Sequence, residues 1–272
     1  MHIRPVEQKD LHDFARVNGR SMWNDESTNY MAPHRDKYPD SYFSYSLYRT
    51  KIRWYRGELL LLAVSDANDS DWTGQEVILG YCCYTTTVDG HQKPVRGGWL
   101  GNWFERFALD CYGRYAKLFG LNRSCDQAAE QHLRRTLDVD MGKLLQPYLE
   151  GLPEEERQRV GGQHWALELL GTHPDFRRRG VGKMTLQWGF ERAREHRVPL
   201  ILIATVTGEK LYLSTGFREV SRVDMRPEKE DDVLKELDLG QGKGKGISWA
   251  AMVWEPENMR GKKRVQRPAN QA

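Results

Sequence analysis

No run in the 272 residues approaches the ~18 apolar positions that a membrane-spanning helix requires. The opening residues MHIRPVEQKD carry no apolar stretch, so a secretory leader is not expected. Cysteine is sparse. The four thiols are the adjacent pair Cys82 and Cys83, with Cys111 and Cys125 apart, and none forms a CxxC spacing. That argues against a zinc site and a disulfide framework, and fits reduced thiols in an intracellular, cytoplasmic protein. Charge of one sign is also lacking: 41 basic residues stand against 38 acidic ones, a formal net charge of +3. This balance argues against a nucleic-acid binder, despite the basic stretch Arg260–Arg267, and the charged fraction is too evenly mixed for a disordered chain. No internal repeat is visible.

What is present is a soluble-type chain with 9 Trp and 12 Tyr, long enough for one large domain or two small ones. His2–Val6 reads as a short strand. Asp10–Met22 carries an apolar helical face at Leu11, Phe14, Ala15 and Val17. Asn24–Pro39 is polar and Pro-punctuated and reads as a loop. Ser41–Arg56 reads as an aromatic-rich helix. LLLLAV at Leu59–Val64 and VILGYCCYTTTV at Val77–Val88 read as two strands of an antiparallel hairpin. From Asp89 to Gln163 the strand pattern is interrupted. Trp99–Leu121 is aromatic and helical. Ser124 with Gln127 fits a capping box for a helix reaching about Val139. Met141–Leu149 and the stretch after Pro153 add further helices. This segment is either a helical insertion or part of the core. Trp165–Leu170 resumes as a strand, Gly180–His196 is a helix, and Pro199–Thr205 is a buried strand. A short helix over Glu209–Ser214 precedes strands at Phe217–Met225 and Ile247–Trp254. Glu228–Asp238 is a charge run and GQGKGKG at Gly240–Gly246 a flexible loop. The order strand, glycine loop, helix, strand implies a βαβ crossover, and the hairpin and late strands add antiparallel neighbours. The fold class is α/β with a mixed sheet.

The stretch WALELLGTHPDFRRRGVGKMTLQWGF, Trp165 to Phe190, concentrates the chemistry. A glycine loop opening a helix offers backbone N–H groups and the positive end of the helix dipole. The arginines beside it suit a polyphosphate. The dinucleotide pattern fails at Thr185, where a glycine or alanine is needed. The NTPase pattern fails at Arg177 and Met184. What fits is [QR]-x-x-G-x-[GA], with Arg177, Gly180 and Gly182.

With LYLSTGF following some thirty residues on, this stretch resembles the GNAT superfamily of acyl-CoA N-acyltransferases, specifically over about Ala166 to Val220. The resemblance implies a mostly antiparallel central sheet in which parallel strands four and five splay apart, flanked by helices. It implies one domain over residues 1–256, with a helical insertion at about 89–163 as in fungal-type members, and a flexible basic tail over 257–272. The implied activity is transfer of an acetyl group from acetyl-CoA to a primary amine, directly and in a ternary complex, with no metal. Coenzyme A would be held by Leu169, Leu170, Gly171 and Thr172 on the fourth strand, by Arg177, Arg178, Arg179, Gly180, Val181, Gly182 and Lys183 in the loop, and by Thr205. The asparagine that often follows the fifth strand is missing, at Thr205-Val206-Thr207. Tyr212 occupies the place of the acid that protonates the departing thiolate; the alternative is a tyrosine packed beside Phe217. Glu168 lies where a base sits in serotonin N-acetyltransferase-like members. It reads as general base, as an anchor for the substrate ammonium, or as an arginine's structural partner. His164 and His173 are further basic candidates. A non-catalytic acyl-CoA-binding scaffold of the same fold is the competing function. The expected partners are acetyl-CoA and an amine acceptor, apolar or aromatic by the flanking segments 41–56 and 99–119. A homodimer is one possible assembly; neither membrane nor nucleic acid is expected.

Overall fold

The computed structural model describes residues 1–69, 72–89, 94–137, 141–160, 162–225 and 247–259. Its strands are β1 (His2–Pro5), β2 (Leu59–Val64), β3 (Ile78–Thr86), β4 (Trp165–Thr172), β5 (Leu200–Ala204), β6 (Arg218–Met225) and β7 (Ile247–Trp254). They form one sheet in the order β1-β2-β3-β4-β5-β7-β6. Among the described residues β4 and β5 pair parallel, and the other neighbours pair antiparallel. The expected hairpin is present, from Leu59↔Tyr84 to Val64↔Ile78.

The helices are α1 (Leu11–Ser21), α2 (Glu26–Met31), α3 (Pro39–Tyr55), α4 (Gly98–Leu118), α5 (Gln127–Leu137), α6 (Met141–Glu150), α7 (Glu154–Val160), α8 (Val181–His196) and α9 (Val206–Ser214). Strand alternation sends Tyr84, Leu167, Leu200 and Leu202 to one face, where Leu186 and Phe190 of α8 cover them. Leu60, Leu62 and Cys83 go to the other face, under Phe14 of α1 and Trp54 of α3. Farther along that face Leu145, Tyr148 and Leu152 pack on Ala166, Ile201 and Val253. Each such buried leucine contributes roughly 1.5–3 kcal/mol. The end of α6 is therefore core, so the segment 89–163 is not a removable insertion throughout. In contrast, α4 packs on α3 and has no buried residue.

Three local readings are corrected. The polar stretch 24–39 contains α2, whose buried residues are Glu26, Thr28 and Tyr30. A helix that buries polar side chains shows no apolar period. The cap of α5 is Asp126, not Ser124: its Oδ1 accepts from the amides of Ala128 at 2.8 Å and Ala129 at 3.0 Å. Ser124 instead donates to Asn122 Oδ1. Helix α9 begins at Val206, three residues before the expected Glu209. The charge run 228–238, the loop 240–246 and the basic stretch 260–267 lie outside the described residues. No helix among the described residues is long and apolar enough to cross a membrane.

Candidate active site

The parallel pairing of β4 with β5 is short. It runs through Trp165↔Leu200, Ala166↔Ile201 and Leu167↔Leu202, and then stops. Both strands continue: β4 stays paired with β3 to Thr172↔Gly80, and β5 stays paired with β7 to Ala204↔Ala250. A wedge therefore opens in mid-sheet. The edge of β4 from Glu168 to Thr172 has no partner in β5, and such an edge pairs with an extended amide chain as an added strand would. Gly171 is fixed by packing as well. A Cβ there would collide with the Tyr81 ring and hydroxyl. That hydroxyl donates to Asn18 Oδ1 at 2.8 Å and lies 2.9 Å from Ser21 Oγ.

The phosphate-type loop lies at the open end of the wedge. After β4 a 3-10 turn runs over Pro174–Phe176, capped by His173, whose Nδ1 accepts from the Asp175 amide at 3.3 Å. His173 is thus occupied as a cap. Arg178 (φ 64°) and Gly180 (φ 84°) take left-handed backbone conformations that turn the chain into α8. Gly180 caps α8 with no side chain, and the first internal bond runs from the Met184 amide to the Gly180 carbonyl. The amides of Val181, Gly182 and Lys183 precede that bond and form the positive end of the helix. A Cβ at Gly180 would meet nothing within 4 Å, so the space before these amides is open.

Arg177, Arg178 and Lys183 are exposed, and Arg177 Nη2 donates to the Ser21 carbonyl at 3.4 Å, tying the loop to α1. The Arg179 guanidinium lies 5.6 Å from the centre of the Phe176 ring. The Val181 side chain is buried beside Ala63 and Leu79, which leaves its amide as the group that can face a ligand. Gly182 lies between Leu170 and Leu211, and so joins β4, α8 and α9. These residues fit an extended ligand with a polyphosphate end.

Glu168 occupies a bulge. Cys83 pairs with Leu169 and Tyr84 pairs with Leu167, which leaves Glu168 as the extra residue on β4. The bulge exposes its carboxylate at the point where the wedge opens, on the face that carries α3. Oε1 accepts from Thr85 Oγ1 at 2.8 Å. Nearby, the half-buried Arg53 guanidinium pairs with Glu58, which also accepts from the Cys83 thiol at 3.1 Å. Arg53 feels the charge of both Glu58 and Glu168. His164 stands at the start of β4. Its Nδ1 lies 2.8 Å from the Gly162 carbonyl and 3.2 Å from Thr87 Oγ1, and burial lowers its pKa.

Tyr212 belongs to the core on the opposite face, with Leu167, Cys82 and Phe217. Its ring meets Phe217 edge-on at 5.7 Å. Among the described residues its hydroxyl has no hydrogen-bond partner. Burial first, and then the negative charges that Asp25 and Cys82 can carry, raise its pKa, so it stays protonated at neutral pH. Glu168 and Tyr212 thus flank the wedge from opposite faces of the sheet.

Two neighbours escaped the sequence reading because α2 did. Asp25 caps α2, accepting from the Ser27 amide at 3.0 Å, and its charge reaches Tyr212. Glu26 Oε1 accepts from the Val206 amide at 3.0 Å and from Trp249 Nε1 at 2.7 Å. It fixes the start of α9 just after Thr205, where the expected asparagine is missing. Its pKa is raised, chiefly by burial. The one sequence signal was an Asp-Glu pair ahead of Ser-Thr-Asn, a pattern shared by many loops.

A pocket of about 420 Å³ lies apart from the wedge, between α3, α4 and α5, lined by Tyr45, Tyr48, Tyr112 and Glu130. No residue of β4, β5 or the glycine loop lines it. Among the described residues no group of three or more His, Cys, Asp or Glu side chains is placed to hold a metal.

Comparison with known proteins points the same way. Residues 146–217 match the sequence model of the Acetyltransferase (GNAT) family. A protein of Stachybotrys chartarum named acetyltransferase is 21% identical over 229 residues, covering 83% of this chain and 84% of its own length. The fold is similar to that of a Corynebacterium glutamicum protein described as a histone acetyltransferase HPA2 and related acetyltransferase. There the TM-score is 0.51 at 16% identity, over 94% of this chain and 96% of the other. The matched segment holds the wedge, the glycine loop and all of α9, so it is over this stretch that the chain is similar to the GNAT acetyltransferases, while the sheet as a whole shares the fold of the Corynebacterium protein.

Proposed function

We propose that this protein is an N-acetyltransferase that moves an acetyl group from acetyl-CoA to a primary amine by direct attack in a ternary complex. The observation that carries the reading is the end of β4–β5 pairing at Leu167↔Leu202, with the glycine loop at the open end of the same strand. The pantetheine amides would pair with the free edge of β4 at Leu169, Leu170, Gly171 and Thr172. The pyrophosphate would sit on the amides from Arg178 to Lys183, with Arg177 and Arg179 adding charge. Thr205, at the start of α9, would flank the other side of the arm.

The amine enters as an ammonium. Glu168, directly or through a water, takes one proton. The freed nitrogen lone pair attacks the thioester carbonyl carbon. The C–S bond breaks with its electron pair on sulfur, and the Tyr212 hydroxyl supplies the proton that makes the thiol. The second nitrogen proton returns to Tyr212, so the turnover releases an amide, a thiol and the proton held by Glu168. A positioned acid or base of this kind is worth about 10²–10⁴ in rate. The acceptor enters from the face of α3, where Glu168 is exposed.

The test is direct. Purified protein, acetyl-CoA and a panel of primary amines should release free thiol in equal amount to N-acetylated product. Coenzyme A binding with no thiol release across the panel would instead identify a binding scaffold.

A further inference from the structure

Helix α4 is amphipathic in the wrong sense for a helix packed on a domain. The side that meets the protein is narrow and largely polar or small. Asn102 Nδ2 donates to the Tyr55 carbonyl at 3.0 Å, Gly113 sits on the Tyr48 hydroxyl, and Leu109 touches the core. The opposite side is apolar. Eight Trp, Phe, Tyr and Leu side chains between Trp99 and Phe119 are 54–78% exposed. At roughly 150–250 Å² per aromatic side chain, this leaves on the order of 1,000 Å² of apolar surface on one element. The largest patch on an ordinary monomer is about 300–600 Å². A standard interface takes about 800 Å² from each partner.

The order of these side chains specifies the occupant. About Leu109 the apolar face is close to a palindrome. Positions equidistant from that level are Trp99 and Phe119, Leu100 and Leu118, Trp103 and Tyr115, and Phe107 and Cys111. The one mixed pair is Phe104 with Arg114, a ring and a guanidinium suited to stacking. Two antiparallel helices bring equidistant positions together, and a two-fold interface must be complementary to itself. The polar positions of α4 argue against a lipid surface. Arg106, Arg114 and Lys117 are nearly balanced by Glu105 and Asp110, where a lipid-seeking helix carries an excess of base.

We propose that this face of α4 is the interface of a homodimer, with two copies lying antiparallel about a two-fold axis at the level of Leu109. Trp103 and Phe107, already stacked at 5.7 Å with ring planes 7° apart, form the centre of each half. Cys111, the exposed one of the four cysteines, lies beside the axis. Its copy is about 6 Å away along the helix and across an interhelix distance of about 8–10 Å.

Light scattering on the full chain and thiol cross-linking test this without reference to turnover. The expected results are twice the chain mass, and a covalent dimer formed by a bis-maleimide with a spacer of about 8–10 Å, the interhelix distance. Cys111→Ser should stay dimeric and lose the cross-link. Trp103→Glu with Phe107→Glu should give a monomer with unchanged circular dichroism, because both sites are on the monomer's surface, and a thermal midpoint that no longer rises with protein concentration. A monomeric parent chain at micromolar concentration overturns the proposal, including one that instead binds anionic lipid vesicles. So does a dimer that survives both glutamates, or one that fails to cross-link through Cys111.

Discussion

Thr85 donates a 2.8 Å hydrogen bond to Glu168, the residue left over where β3 and β4 fall out of register. The bond holds a carboxylate at a strand bulge and leaves its other oxygen free of Thr85. For a base this is a held but available group. Glu168→Gln keeps the size and the acceptor and removes the basicity. It should lower kcat about 10²–10⁴-fold with the KM for acetyl-CoA nearly unchanged. Thr85→Val should have a smaller effect in the same direction, since it removes only the hydroxyl that holds the carboxylate. Thiol-release kinetics reads both. A Gln variant with full activity would leave Glu168 a structural role beside Arg53.

Tyr212→Phe removes a hydroxyl that has no partner among the described residues. Stability should change by less than about 1 kcal/mol, since no buried group is left unpaired. Turnover should drop about 100-fold or more. Because burial raises the Tyr212 pKa above its ordinary value of 10, the parent enzyme should keep its kcat through mildly alkaline pH. An alkaline limb centred well below that value would speak against Tyr212 as the donor.

Gly180 has φ 84° and open space where a Cβ would stand. Gly180→Val therefore costs conformation rather than a clash, about 1–2 kcal/mol for a left-handed side-chain-bearing residue. The expected readout is a raised KM for acetyl-CoA with kcat less affected. Arg177→Ala with Arg178→Ala should raise the same KM about tenfold, with less effect at high salt.

Glu26 gives a stability test tied to pH. Its folded pKa is raised above 4.5, chiefly by burial. Its contribution is thus fully present below the unfolded pKa and is lost as pH rises through the folded pKa. At neutral pH the ionised form weighs against the fold. Glu26→Gln keeps the acceptor for the Val206 amide and Trp249, so its thermal midpoint should exceed the parent's at pH 7 and converge on it below about pH 4.3. Glu26→Ala should lose roughly 1–3 kcal/mol for each of the two donors it strands.

The sheet was legible because its strands are apolar runs of strand length, and the glycine loop because spacing alone separates it from other phosphate loops. Glu168 was legible as a carboxylate in an apolar strand, but not as a bulge. One extra residue shows only against a partner strand, and Cys83 and Tyr84 lie more than eighty positions away. Helix α2 was hidden because Glu26 and Thr28 are buried through hydrogen bonding and polar packing rather than apolar contact. The aromatic segment that forms α4 read, with 41–56, as a pointer to an apolar or aromatic acceptor. Its aromatic side is exposed, a distinction that periodicity does not make.

The packing of Leu145, Tyr148 and Leu152 on Ala166, Ile201 and Val253 also bears on synthesis. The chain leaves the ribosome amino end first, so this cover is complete before β4, β5 and β7 emerge. Those strands have an apolar partner waiting on one face from the moment they appear. A circularly permuted chain that makes β4 first would expose them without it. It should yield less soluble protein even though every final contact is the same.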